Sequence, residues 1–164
     1  MEEVKAPNSY ETAGKTVIFL AGSIEQGKAT PWQKQIAEEL KDFQNLVVLN
    51  PRRDDWDSSW VQSKMNPEFR EQVTWELVGQ EKSNIVAMYF DPETKSPITL
   101  LELGLFHKKV ILFCPEGYCR KGNVDVTADF FKIEQANSWE EFMEKIRAAI
   151  VTAEDARLRV IWQE

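Results

Sequence analysis

Four short apolar runs, at 15–20 (KTVIFL), 46–49 (LVVL), 85–90 (IVAMYF) and 110–113 (VILF), leave this chain few folds to choose from. Each is too short for a helix and lacks the polar alternation of a strand with one wet face, so each reads as a strand buried on both sides. Helical spacing fills the intervals. Thr30 before Pro31 reads as an N-cap with proline at the first helical position, followed by Trp32, Ile36, Ala37 and Leu40. Phe69, Val73 and Leu77 form a narrow apolar stripe on an otherwise charged helix over 67–82. Ser96-Pro97 caps a third helix. A fifth short strand is expected near 130–133, ahead of a last helix from 138 to about residue 151. This alternation predicts an α/β fold: a single-domain, doubly wound (Rossmann- or flavodoxin-like) parallel sheet of about five strands with helices on both faces. Residues 1–14 read as a flexible N-terminal segment before a domain over 15–164. Leu158, Val160, Ile161 and Trp162 read as either an added edge strand or an oligomer contact.

A length of 164 residues suits one domain with a sizeable core. With 43% hydrophobic residues, nine Phe and six Trp, disorder is excluded. No run approaches a membrane span and the first residues resemble neither a signal nor a transit peptide, so a cytoplasmic protein without membrane contact is expected. A net charge of −7 argues against nucleic acid and for small-molecule partners. Cys114 and Cys119 have neither CxxC nor zinc-finger spacing and His107 is the sole histidine, so no metal is expected.

Glu102 is the only ionisable residue in PITLLELGLF, residues 97–106. At about 100° per residue it falls between Leu105 and Phe106, with Leu100, Leu101 and Leu103 around the rest of the helix. A helix apolar all round is normally buried, and a buried carboxylate is paired, neutralised by a raised pKa, or used for chemistry. In an open parallel sheet the ligand crevice lies outside the carboxyl ends of the strands, where strand order reverses. The Gly22-Ser23 turn, the Arg52-Arg53-Asp54-Asp55 loop and the Asp91-to-Ser96 loop with the Glu102 helix all follow strands and converge on that rim.

The other candidates are individually weaker. The segment Gly22-Ser23-Ile24-Glu25-Gln26-Gly27-Lys28 lacks GxGxxG and Walker spacings; its N–H groups and the Ser23 hydroxyl can hold a sugar hydroxyl or one phosphate, or it is a tight turn that needs glycine. Glu76 lies about 60° from Val73, beside the apolar stripe, where it reaches the crevice edge or pairs with a surface charge. Asp54, Asp55 and Asp57 with Trp56 and Trp60 suit a polar ring that stacks and hydrogen-bonds, or a solvated loop. Arg120-Lys121-Gly122-Asn123 is a polar turn on the same rim.

These motifs resemble the nucleoside 2-deoxyribosyltransferase superfamily, in its deoxyribosyltransferase-like variant, which is related to nucleoside 5′-monophosphate N-glycosidases. The resemblance runs through Phe19-Leu20-Ala21-Gly22-Ser23, Glu76 eight residues before Asn84, and Asp91-Pro92-Glu93-Thr94-Lys95-Ser96-Pro97 to Glu102-Leu103-Gly104. It covers about residues 15 to 125. It implies Glu102 as the nucleophile at the sugar C1′, Glu76 as the acid on the leaving base, and Ser96 as a contact to the sugar or its phosphate. Serine at that place is more like the monophosphate hydrolases. Phe19 stands where transferases often have a tyrosine bonded to the nucleophile, with Tyr89 as a candidate substitute. Phe19, Gly22, Ser23, Asp54, Asp55, Asp91, Ser96 and Asn123 are expected around the substrate, a nucleoside or nucleotide and a nucleobase, with no cofactor and a homo-oligomer, dimer or larger. Transfer of deoxyribose from a 2′-deoxynucleoside to another nucleobase, through a covalent glycosyl intermediate on Glu102, is the leading expectation. Hydrolysis of a nucleoside 5′-monophosphate, with Ser23, Lys28 and Ser96 on the phosphate, is the close alternative, and a noncatalytic nucleotide sensor is the alternative of another class.

Overall fold

The computed structural model describes residues 1–25, 29–53, 55–57 and 59–161. Gln26, Gly27, Lys28, Asp54 and Trp162, named above, lie outside the described residues. Strands β1 (Glu2–Lys5), β2 (Thr16–Gly22), β3 (Leu46–Asn50), β4 (Ile85–Tyr89), β5 (Val110–Phe113) and β6 (Glu134–Ala136) alternate with helices α1 (Trp32–Leu40), α2 (Pro67–Lys82), α3 (Pro97–Phe106), α4 (Lys121–Phe131) and α5 (Trp139–Ile161). All strand pairs are parallel, in the order β1-β3-β2-β4-β5-β6. The fold is the expected doubly wound α/β sheet, with six strands in place of about five.

Three expectations are corrected. Residues 2–5, assigned to a flexible segment, form the edge strand β1: Val4 is buried, and Glu2 and Glu3 stay exposed as charges suited to a sheet edge. The strand expected near 130–133 is instead the end of α4, with β6 following at Glu134–Ala136. Parallel β5 and β6 need a crossover, and α4 supplies it. The C-terminal stretch is no edge strand: α5 runs through Ile161.

Alternate side chains of each strand enter two cores. Val17, Phe19 and Ala21 of β2 and Val86 and Met88 of β4 pack with Leu103, Phe106, Val124 and Ala128, under α3 and α4, and Trp75 of α2 joins them. Ile18 and Leu20 pack on the other face with Ile36 and Leu40 of α1 and Phe142, Met143, Ile146 and Ile150 of α5. Burial on both faces is what removes polar alternation from the strands. The strand order reverses between β2 and β4, so their carboxyl ends flank the topological switch point. There the chain closes tightly: a Cβ at Gly22 (φ +150°) would lie 2.3 Å from the Tyr89 carbonyl oxygen and 2.8 Å from the Trp32 ring.

The α3 helix departs from the expectation of all-round burial. Thr99, Glu102, Leu103 and Phe106 face inward, whereas Ile98, Leu101 and Leu105 are more than half exposed. Among the described residues no helix is long and apolar enough to cross a membrane.

Candidate active site

The site is built by α2 and α3, which follow β3 and β4. Asn66 caps α2, its side-chain oxygen accepting from the N–H groups of Glu68 and Phe69 at 3.1 and 3.2 Å. The apolar stripe does not face the core as expected. Leu77 is 40% exposed and Phe69 and Val73 are half-buried, while Gln72, Gly79 and Gln80 are the buried residues of α2. Gln72, Glu76 and Gln80 are spaced by four and share this inward face. Gly79 permits the close approach of α2 to the sheet: a Cβ there would meet the Phe19 ring at 2.8 Å.

Glu102 enters this contact from α3, 7% exposed, and accepts a 2.6 Å hydrogen bond from Gln80 Nε2. Burial first, and then the charge of Glu76, push its carboxyl up to about 8, with the Gln80 amide pulling the other way. Glu76 accepts from Gln72 Nε2 at 2.8 Å, and desolvation pushes its carboxyl up to about 7 against that hydrogen bond. Gln72 spends its other N–H on the Pro51 carbonyl at 3.1 Å. The two glutamates therefore lie near enough for the charge of Glu76 to raise Glu102, and they are held by Gln72 and Gln80, which stand four residues to either side of Glu76 on α2. The values order the pair: Glu102, at about 8, holds its proton to higher pH than Glu76, at about 7, so the form with Glu102 ionised and Glu76 protonated is the minor one of the two singly protonated forms.

At the switch point lies a buried hydroxyl cluster. Ser23 Oγ is 2.5 Å from Ser96 Oγ, and Thr94 Oγ1 is 2.8 Å from Ser23 Oγ and 2.7 Å from Ser96 Oγ. The Asp91 N–H donates to Ser23 Oγ at 2.8 Å. Ser96 thus begins α3 without capping it through its side chain, in the left-handed region (φ 44°, ψ 52°). Asp91 is buried and accepts from the Thr30 N–H and hydroxyl at 2.9 and 3.1 Å and from the Glu93 N–H at 3.0 Å. Thr30 is therefore tied to Asp91 and does not serve as the side-chain cap of α1 that its position suggested.

The remaining candidates are dispersed. Phe19 is 1% exposed and backs the site from within the core against Gly79 and Trp75. Asp55 is paired with Arg53 at 2.8 Å on the surface, and that guanidinium holds its carboxyl down at about 2. Arg53 also lies 5.1 Å over the Trp60 ring. Asn123 is exposed on the first turn of α4. Tyr89 cannot take the place of a nucleophile-orienting tyrosine, because it packs with Trp32, Phe113 and Trp139 on the opposite face of the sheet. The side-chain hydrogen bond to Glu102 comes from Gln80. A 540 Å³ cavity lined by Asn84, His107, Lys109 and Lys132 contains none of these groups.

The stretch 15–118 matches the family described as nucleoside 2-deoxyribosyltransferase like, a span that contains both glutamates and the hydroxyl cluster. The chain belongs to this family. No curated protein matches it. The family is associated with glycosyl transfer or hydrolysis on nucleosides, and the match ends before α4, so Asn123 falls outside it.

Proposed function

We propose that this protein is a nucleoside 2-deoxyribosyltransferase acting through a glycosyl ester on Glu102. The observation that carries the reading is the Glu102–Glu76 pair: two interacting carboxyls, both raised, each held by a glutamine amide. A carboxylate Oε of Glu102 attacks C1′ of a 2′-deoxynucleoside, and the electrons of the C1′–N bond leave with the base. Glu76 gives its proton to the departing nitrogen. In the second half a nitrogen of another base attacks C1′, Glu102 leaves as a carboxylate, and Glu76 takes up the proton that the incoming base loses. The oxocarbenium-like state is favoured by the facing carboxylate, and the two roles need carboxyls in different environments.

Exchange of bases between nucleosides is salvage chemistry and fits a cytoplasmic enzyme. The exposed row of Ile98, Leu101 and Leu105 on the helix that carries Glu102 supports a homo-oligomer assembled beside the site. Incubation with deoxyadenosine and free cytosine tests the reading. Formation of deoxycytidine is expected. Free base and sugar without a new nucleoside would make the protein a hydrolase, and ligand binding without turnover would make it a sensor.

A further inference from the structure

The last turn of α2 ends in carbonyls that no N–H of the helix can reach, so donors from outside must meet them. Ser83 meets some: its N–H points to the carbonyls of Gly79 at 3.0 Å and Gln80 at 3.3 Å, and its hydroxyl donates to Gly79 at 2.7 Å. Lys109 meets the others. Its Nζ donates to the carbonyls of Gln80 at 3.0 Å, Glu81 at 2.6 Å and Ser83 at 3.1 Å. An ammonium has three N–H groups, and each of these has a carbonyl. A cation at this end of a helix is also favoured by the helix dipole.

The origin of this lysine gives the contact its consequence. Helix α3 ends at Phe106, a single 3-10 turn covers His107–Lys109, and β5 begins at Val110. Lys109 therefore belongs to the stretch that carries Glu102, and it reaches across to the helix that carries Gln72, Glu76 and Gln80. Gln80 is held from both ends: Lys109 takes its backbone carbonyl, and its side-chain amide donates to Glu102 at 2.6 Å. The second bond depends on the first. Hydrogen bonds weaken steeply with lost length and angle, so a small drift of the α2 end carries the amide off the carboxyl. Glu76, whose charge also acts on Glu102, lies a full turn further from the clamped end and is held separately by Gln72.

We propose that Lys109 is a positioning residue for Glu102, fixing the end of α2 so that the Gln80 amide stays on that carboxyl. Its effect on turnover rests on the glycosyl-transfer reading; its effect on the carboxyl does not. Lys109→Met keeps the apolar stem and removes the three donors. Carboxyl titration by ¹³C NMR should then show the Glu102 ionisation moved to higher pH, because the amide that favours the carboxylate is less well held. The rate of deoxycytidine formation from deoxyadenosine and cytosine should fall about 10- to 100-fold in kcat with little change in KM. Lys109→Arg, which keeps a cation with several donors, should bring the ionisation back toward the wild-type position. In a Gln80→Leu background, Lys109→Met should move it no further. An ionisation unmoved in a folded Lys109→Met variant, even one with a lowered melting temperature, or a shift of equal size with and without Gln80, overturns the assignment. Should the methionine variant not fold, Lys109→Gln carries the same comparison. A Gln80-dependent shift in a protein that forms no new nucleoside keeps the role of Lys109 and ends the transfer reading; deoxycytidine formed by a wild type whose Lys109 variants leave the ionisation unmoved does the reverse.

Discussion

The side-chain amide of Gln80, fully buried on α2, donates to the Glu102 carboxyl on α3 at 2.6 Å. The other end of that amide, Oε1, is buried and has no hydrogen-bond partner among the described residues. An amide facing a carboxyl serves either protonation state, giving an N–H to the carboxylate or, rotated by half a turn, accepting the O–H of the acid. This suits a group whose proton must come and go. Because the amide favours the charged form, Gln80→Leu should raise the Glu102 pKa beyond about 8 and move the ionisation seen in the pH profile upward. It should lower kcat on the order of 100-fold with little change in KM. Steady-state kinetics across pH check both; an unmoved profile would leave Gln80 a packing residue.

Glu76 is expected to act as the acid, a role that needs its proton. With its carboxyl pushed up to about 7, activity that depends on the protonated form falls as pH rises through that value. Glu76→Gln should abolish this basic limb and slow base release by about 10² to 10⁴. It should also lower the Glu102 pKa, since the Glu76 charge is one of the two causes that raise it. A pH-rate profile and a carboxyl titration by ¹³C NMR read the two effects separately.

The strands were legible because burial on both faces leaves an unbroken apolar run, and four of the six carry one. The other two are short: three of the four residues of β1 are charged, and β6 (Glu134-Gln135-Ala136) has no apolar run at all, so their place follows from pairing with neighbours and not from local pattern. The Glu102 carboxylate stood out for the same reason the strands did, as a charge among apolar residues. Gln72 and Gln80 did not, because glutamine on a charged helix looks like surface. The signal that was available is the spacing of four through Gln72, Glu76 and Gln80, with Gly79 beside it. The outward exposure of Ile98, Leu101 and Leu105 was not legible either, since a leucine facing a core and one facing uncovered solvent are the same letter.

Stability should depend on pH with a definite sign. Glu102 and Glu76 both have folded-state values above the ordinary carboxylate range, so between about pH 5 and 8 the native protein binds more protons than the unfolded chain. Unfolding free energy therefore falls as pH rises across that window. Melting temperature should drop by several degrees between pH 5.5 and about 8.5, and Glu102→Gln should flatten the curve and stabilise the protein at the alkaline end. Thermal melts of the two proteins measure this. A melting temperature that climbs with pH in the wild type and the variant alike would contradict the buried pair.

Gly22 closes the switch point with no room for a side chain, the Tyr89 carbonyl oxygen lying 2.3 Å from where a Cβ would sit. Gly22→Ala should destabilise the fold by about 3 kcal/mol, read from urea unfolding. An alanine variant as stable as the wild type would mean that the carboxyl ends of β2 and β4 stand further apart.

The most direct measurement is the mass of the protein after incubation with a 2-fluoro-arabinosyl nucleoside, whose fluorine slows breakdown of a glycosyl ester. The expected result is a stoichiometric adduct of the fluorinated sugar on the peptide containing Glu102, absent from Glu102→Ala, which folds but releases no base. Base release by Glu102→Ala at the wild-type rate, or an adduct on any other residue, would contradict the assignment of Glu102 as nucleophile.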